Sequence, residues 1–314
     1  MIVPGLGAGV EWRDGVQVVS YGGREIRSAV REFVDLARIL EEQDRAGVDI
    51  VVLCPWVNLC GVAVERQNEA LARLVGDRVA ALGTVDPERP EQLVELMRDG
   101  RLAGVEVPAA PGGAYLGDER FRDFWAAAEE EDALVFVHPG TRGFGLPVLE
   151  EHYLWNTVGN PVETAVSAAH MLGAGVLDAH PGLRVLLAHG GGVLPALRGR
   201  LAHEQTLHPP GRDALGALRR LLVDTVVHDV EVLRGLVDFF GPERVLLGSD
   251  YPFDMGVERP AEIVRSLALP AEQEDAILGG NALRVLRQEG AVQILTRKAP
   301  PREKQAMQGR RELE

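Results

Sequence analysis

The chain has 314 residues, 46% of them hydrophobic and 25% charged, with a net charge of −14. That length holds one large domain or two small ones around a substantial core. An acidic surface repels nucleic-acid phosphates and anionic lipid, and no apolar run approaches the roughly 20 residues of a membrane helix, so neither kind of partner is expected.

In chain order, Met1-Ile2-Val3 is a candidate partial strand. Met1 to Gly5 lacks the basic and apolar regions of a signal peptide, and a cytoplasmic protein is expected. Val30, Phe33, Leu36, Ala37 and Leu40 recur at helical spacing and predict a helix over Ala29 to Ala46. Seven short apolar runs follow: Ile50–Leu53, Val79–Leu82, Gly104–Val107, Leu134–Val137, Val185–Ala188, Leu221–Val223 and Val245–Leu247. Each reads as a strand buried on both faces. The stretches Pro90 to Arg98, Asp118 to Glu131, Pro161 to His170, Leu194 to His203, Val230 to Phe239 and Pro260 to Leu267 have helical spacing. Pro90, Pro161 and Pro260 stand at helix starts, where proline is tolerated. Cys54 and Cys60 fit neither a CxxC pattern nor a disulfide framework and read as reduced, unreactive thiols.

This alternation implies a parallel sheet. Seven strand-helix units plus a partial first one predict a (β/α)₈ barrel, of TIM type, with its first strand truncated. A doubly wound sheet would show a glycine-rich first turn, and no GxGxxG follows any predicted strand. The barrel is expected to occupy residues 1–297, and Lys298 to Glu314 reads as a charged tail.

Three polar residues stand directly after apolar runs: His138 before Pro139, His189 before Gly190-Gly191-Gly192, and Asp250 before Tyr251-Pro252. In a barrel the carboxyl ends of the strands meet on one face, where sites are built. Two imidazoles and a carboxylate suit Zn²⁺ and similar divalent ions. Any one of the three alone reads more readily as a capped or hydrogen-bonded core residue than as a ligand; their joint placement favours a site.

The segments Val137-His138-Pro139, His189 to Gly192 and Gly248 to Phe253 resemble the amidohydrolase superfamily. Asp224 to Asp229 and Gly159 to Thr164 are similar to its aminocarboxymuconate-semialdehyde decarboxylase branch, and the resemblance runs from about Glu42 to Leu286. It implies a metal-dependent barrel enzyme in which His138 and Asp250 ligate a metal, Zn²⁺ or Mn²⁺, and His189 beside them serves as the catalytic base. It further implies that Arg200, eleven residues beyond His189, meets a substrate carboxylate across a homodimer interface. Arg31 is a looser match to a second such arginine, and Trp155 resembles a pocket aromatic. His228 fits the pattern without a role that can be derived. The other histidines are expected to be structural or solvated.

One departure is plain. The family opens with a His-x-His that supplies two ligands, and this chain has no histidine before His138. Either the given start lies downstream of that motif, or the ligands are lost; both lead to an expectation of poor metal occupancy, and the former also of reduced stability. The expected function is non-oxidative decarboxylation of a small unsaturated or aromatic carboxylic acid. The alternatives are a hydrolase or hydratase with the same site, and a non-catalytic barrel.

Overall fold

The structure, a computed structural model, describes residues 9–14, 16–21, 24–28, 35–140, 145–207 and 213–286. It begins with an antiparallel meander that the sequence reading did not anticipate: β1 (Gly9–Arg13), β2 (Val16–Tyr21) and β3 (Arg24–Ser28), in the order β1-β2-β3. The first helix, α1, covers Leu36–Arg45, a shorter span than predicted. Asp35 is extended, and its carboxylate accepts from the Ala37 and Arg38 N–H groups, so a helix cap stands inside the predicted helix. Residues 29–34 of that prediction, and the candidate strand Met1-Ile2-Val3, lie outside the described residues.

The parallel strands follow as predicted. They are β4 (Val51–Leu53), β5 (Val79–Ala81) with its continuation β6 (Gly83–Thr84), β7 (Gly104–Pro108), β8 (Leu134–His138), β9 (Arg184–Leu187), β10 (Leu222–Asp224) and β11 (Val245–Leu246). β4 pairs with β5, and β6 through β11 pair in sequence order. The Leu82 N–H to Leu53 carbonyl bond (2.9 Å) and the Ala103 N–H to Ala81 carbonyl bond (2.9 Å) join the two pieces into one run. Seven strand positions of a TIM-type barrel are thereby laid out. Among the described residues no strand pairs β4 with β11.

Between and after the strands lie α2 (Val64–Ala72), α3 (Pro90–Asp99), α4 (Arg122–Glu130), α5 (Asn160–Ala174), α6 (Val176–Ala179), α7 (Arg198–Leu207), α8 (Ala214–Arg220), α9 (Val230–Phe240), α10 (Pro260–Arg265), α11 (Ala271–Asp275) and α12 (Asn281–Leu286). Pro90 and Pro260 begin their helices as expected. The sequence reading missed α2 and α8.

Two cores result. The larger lies between strands and helices, with Phe121, Phe124 and Trp125 fully buried. The smaller joins Leu82, Leu134, Leu186, Leu222 and Leu246 to Val285 and Leu286 of α12. Leu134, Phe136 and His138 share one face of β8, since side chains alternate along a strand. The smaller core is therefore the barrel interior, and the site stands at its carboxyl end.

Asn281 ties α12 to this arrangement: its Nδ2 donates to the carbonyls of Pro242 (2.7 Å) and Val245 (2.8 Å) while 3% exposed. Asn281→Ala strands both carbonyls in the interior. The expected loss is about 2–4 kcal/mol, read from urea unfolding midpoints.

Candidate active site

The three strand-end residues converge. His138 closes β8, His189 follows β9 by one residue, and Asp250 follows β11 in the segment running to Pro252. His138 Nε2 lies 3.6 Å from Asp250 Oδ1, and His189 Nε2 lies 3.8 Å from Asp250 Oδ2. The imidazoles meet edge to face at 5.1 Å between ring centres. All three side chains are about 15% exposed, which shields the carboxylate from solvent screening. One ligand atom from each lies within 4.8 Å of the other two, so the group could hold a metal ion. The chemistry of the donors fits: two imidazole nitrogens and one carboxylate oxygen match a catalytic divalent site, given an open position for water or substrate.

The two histidines are held differently. His138 Nδ1 is 2.9 Å from the Pro139 carbonyl, so Nδ1–H donates there and Nε2 is the nitrogen that faces Asp250. Such an outer bond is the usual partner of a metal-ligating histidine. His189 Nδ1 is buried without a hydrogen-bond partner among the described residues, while its Nε2 faces Asp250. The charges couple strongly. Burial alone would lower the His138 pKa, but the carboxylates of Asp250 and Glu106 raise it to about 9. Burial likewise opposes the Asp250 carboxylate, yet the two imidazoles hold its pKa well below the ordinary range.

Two of the three site residues carry backbone strain. His189 and Asp250 have φ of +56° and +52°, a region few side chains adopt without cause. The Asp224 carboxylate, at the end of β10, accepts the N–H groups of His189 (3.0 Å), Gly190 (2.9 Å) and Val226 (3.0 Å). Thr225 Oγ1 accepts the Gly248 N–H at 3.1 Å and ties β10 to the turn that carries Asp250. The sequence reading quoted Asp224 and Thr225 within a motif but assigned neither a role.

Other predicted residues fall as follows. Trp155 opens the helical turn before α5 and meets Tyr153 edge to face at 4.9 Å. Burial, then the carboxylates of Asp254 and Asp250, raise the Tyr153 phenol. Tyr153, which the sequence reading passed over, therefore stands within electrostatic reach of Asp250. Arg200 is exposed on α7, a helix with no buried residue, and the described contacts do not bring it to His189. Arg31 lies outside the described residues. His228 is exposed in the loop after β10, with φ +55°. His170 stacks on Tyr115, and His180 pairs with Glu129 at 2.9 Å. His152 and His203 are exposed, and His208 lies outside the described residues.

Cys54 and Cys60 are free, and burial raises both thiols well above their ordinary range. Cys54 hydrogen-bonds Glu106, a 3% exposed carboxyl that burial pushes up to about 7. The folded state therefore keeps this proton at pH values where the unfolded chain has released it, and stability falls as pH rises from about 4.5 to about 7. Glu106→Gln is neutral throughout. The variant should match the parent near pH 4 and exceed its stability at pH 8 by about 2–3 kcal/mol, read from thermal melts at the two pH values.

An amidohydrolase family model matches residues 14–288. The chain belongs to the amidohydrolase family. It is similar to 2-amino-3-carboxymuconate-6-semialdehyde decarboxylase of Dictyostelium discoideum, 31% identical over 273 residues that span 79% of this chain and 75% of that protein. Among solved structures, 5-carboxyvanillate decarboxylase from Sphingomonas paucimobilis superposes with a TM-score of 0.70 at 25% identity, covering 81% of this chain and 84% of the other. The manganese-bound 5-carboxyvanillate decarboxylase from Novosphingobium aromaticivorans shares the fold at a TM-score of 0.70 and 21% identity, covering 82% and 81%. Within the described residues of this amidohydrolase, no helix is long and apolar enough to cross a membrane.

Proposed function

We propose that this amidohydrolase is a metal-dependent, non-oxidative decarboxylase of a small unsaturated or aromatic carboxylic acid. The observation that carries the reading is the partly buried His138–His189–Asp250 triangle at three strand ends, in a chain 31% identical to a decarboxylase of such an acid. When bound, a divalent ion such as Zn²⁺ or Mn²⁺ supplies Lewis acidity and lowers the pKa of a bound water towards 7. His138, through Nε2, and Asp250 would hold it. Asp250 also sets the charge balance, since one carboxylate faces both imidazoles.

The steps left to the protein are positioning and proton transfer. His189 presents Nε2 to the same point, and its ring carries the proton to the carbon that loses its carboxylate. Tyr153 and Trp155, packed edge to face, would meet the substrate with apolar rings, which favours a planar, unsaturated one. Arg200 and Arg31 supply substrate cations from a neighbouring subunit in a homodimer. A guanidinium pairs a carboxylate bidentately, which is the chemistry an acidic substrate requires.

The test is direct. Protein loaded with Zn²⁺ or Mn²⁺ is given hydroxybenzoate-like and muconate-like acids, and carbon dioxide is measured. Release that chelation stops and that His189→Ala abolishes is the expected result. Metal-loaded protein that is inert on the acids yet cleaves esters or lactones would replace decarboxylation with hydrolysis.

A further inference from the structure

Two buried carboxylates stand behind the site histidines, and neither is in the metal-holding triangle. Glu163, in the first turn of α5 and 3% exposed, accepts the Gly140 N–H through Oε2 at 2.9 Å. Gly140 follows Pro139, whose carbonyl takes the Nδ1–H of His138. Glu163 thus anchors the turn whose carbonyl decides which His138 nitrogen faces Asp250. Asp224, 6% exposed, uses both oxygens: Oδ2 accepts from His189, and Oδ1 accepts from Gly190 and Val226. His189 is held at a positive φ, and that backbone persists only where its surroundings impose it.

We propose that Glu163 and Asp224 are positioning residues, Glu163 aiming His138 at the metal and Asp224 aiming His189 at the reacting carbon. This rests on the functional reading above and assigns each histidine its own support. The hydrogen-bond inventory sharpens it. A glutamine at position 163 keeps one oxygen for the Gly140 N–H, whereas a methionine of similar size keeps none. An asparagine at position 224 turns one of the two acceptors into a donor facing an N–H group. Amide replacement is therefore tolerated at the first position and not at the second. Two carboxylates that only filled space would show no such asymmetry.

The experiment measures Zn²⁺ affinity by calorimetry, kcat and KM for carbon dioxide release, and the visible spectrum of the Co²⁺-loaded protein, which reports ligand geometry. Glu163→Met is expected to weaken Zn²⁺ binding about 10–100-fold, the usual cost of losing an outer partner, while Glu163→Gln stays within about threefold of the parent. Asp224→Asn is expected to lower kcat about 10–100-fold with KM nearly unchanged, and to shift the Co²⁺ spectrum. Parent-like Zn²⁺ binding by Glu163→Met, equal losses in Glu163→Met and Glu163→Gln, or an unchanged kcat in Asp224→Asn would overturn the assignment. If the parent releases no carbon dioxide from any acid, the functional reading fails by itself, and the Zn²⁺ affinities and Co²⁺ spectra still decide whether the two carboxylates position the histidines.

Discussion

Asp250→Asn is expected to lower carbon dioxide release by about 10³-fold or more and to remove the Zn²⁺ binding that the parent shows. The argument starts from charge. Asp250 is the one carboxylate of the triangle, and its two oxygens face two imidazole nitrogens at 3.6 and 3.8 Å. Asparagine keeps the shape but removes the negative charge, leaving one imidazole, that of His138, and a neutral amide to hold a divalent ion. Lewis-acid assistance contributes several kcal/mol to such a reaction, and each 1.36 kcal/mol is about tenfold in rate. The same substitution removes one of the two carboxylates that raise the His138 pKa, so it falls below its value in the parent. The turn itself should survive, because it is tied through its backbone: Phe253 N–H to the Asp250 carbonyl at 3.0 Å and Val257 N–H to the Ser249 carbonyl at 2.7 Å. A melting temperature within a few degrees of the parent, with activity and metal lost together, is the expected pattern. An asparagine variant that keeps both would remove Asp250 from the mechanism.

The triangle could be read in the sequence because its members obey a positional rule. Each follows an apolar run too short for a helix and apolar at successive positions, and a parallel sheet collects such ends on one face. The seven strands were legible for the same reason. What escaped was whatever the chain decides in three dimensions. Glu163 and Asp224 look in sequence like any acidic residue near a helix start or a strand end. Their importance lies in which amides they reach, and Asp224 reaches back 35 positions to His189.

Other omissions had signals that went unused. Asp14-Gly15 and Gly22-Gly23 are hairpin-type dipeptides in the sequence, a signal for the antiparallel pairing of β1 with β2 and of β2 with β3. Asp35 is an N-cap residue, and it places the start of α1 within the longer helical pattern. α2 gave less warning. Its cap, Ala63, has φ +44° and offers no side-chain bond. Its buried Gln67, which donates to the carbonyls of Leu59 (2.7 Å) and Val62 (2.6 Å), interrupts the apolar face. A polar residue buried to satisfy a neighbouring turn looks from sequence like an exposed one.

The second large effect concerns the glycine run after His189. Gly192→Ala is expected to destabilise the fold by about 3–5 kcal/mol, adding backbone strain to a steric clash. Gly192 has φ +63° and ψ −133°, a conformation essentially closed to residues with a Cβ. A Cβ there would stand 2.0 Å from the Pro161 carbonyl oxygen and 2.9 Å from its carbon. Both obstacles are backbone, at the start of α5, so no side chain can rotate away to relieve them. Either the turn after His189 or the start of α5 must move. The first displaces the ring that faces Asp250, and the second displaces Glu163 and with it the turn after His138. Activity should therefore fall further than the unfolded fraction alone explains. Gly173, near the other end of α5, is the control: a Cβ there meets nothing within 4 Å, and alanine suits a helix better by up to about 1 kcal/mol. Thermal melts should show Gly192→Ala falling by roughly 10 °C, at about 2–4 °C per kcal/mol for a chain of this size, while Gly173→Ala holds or rises. Equal melting temperatures for the two variants would mean that α5 and the histidine turn are not in the close contact on which the site's geometry depends.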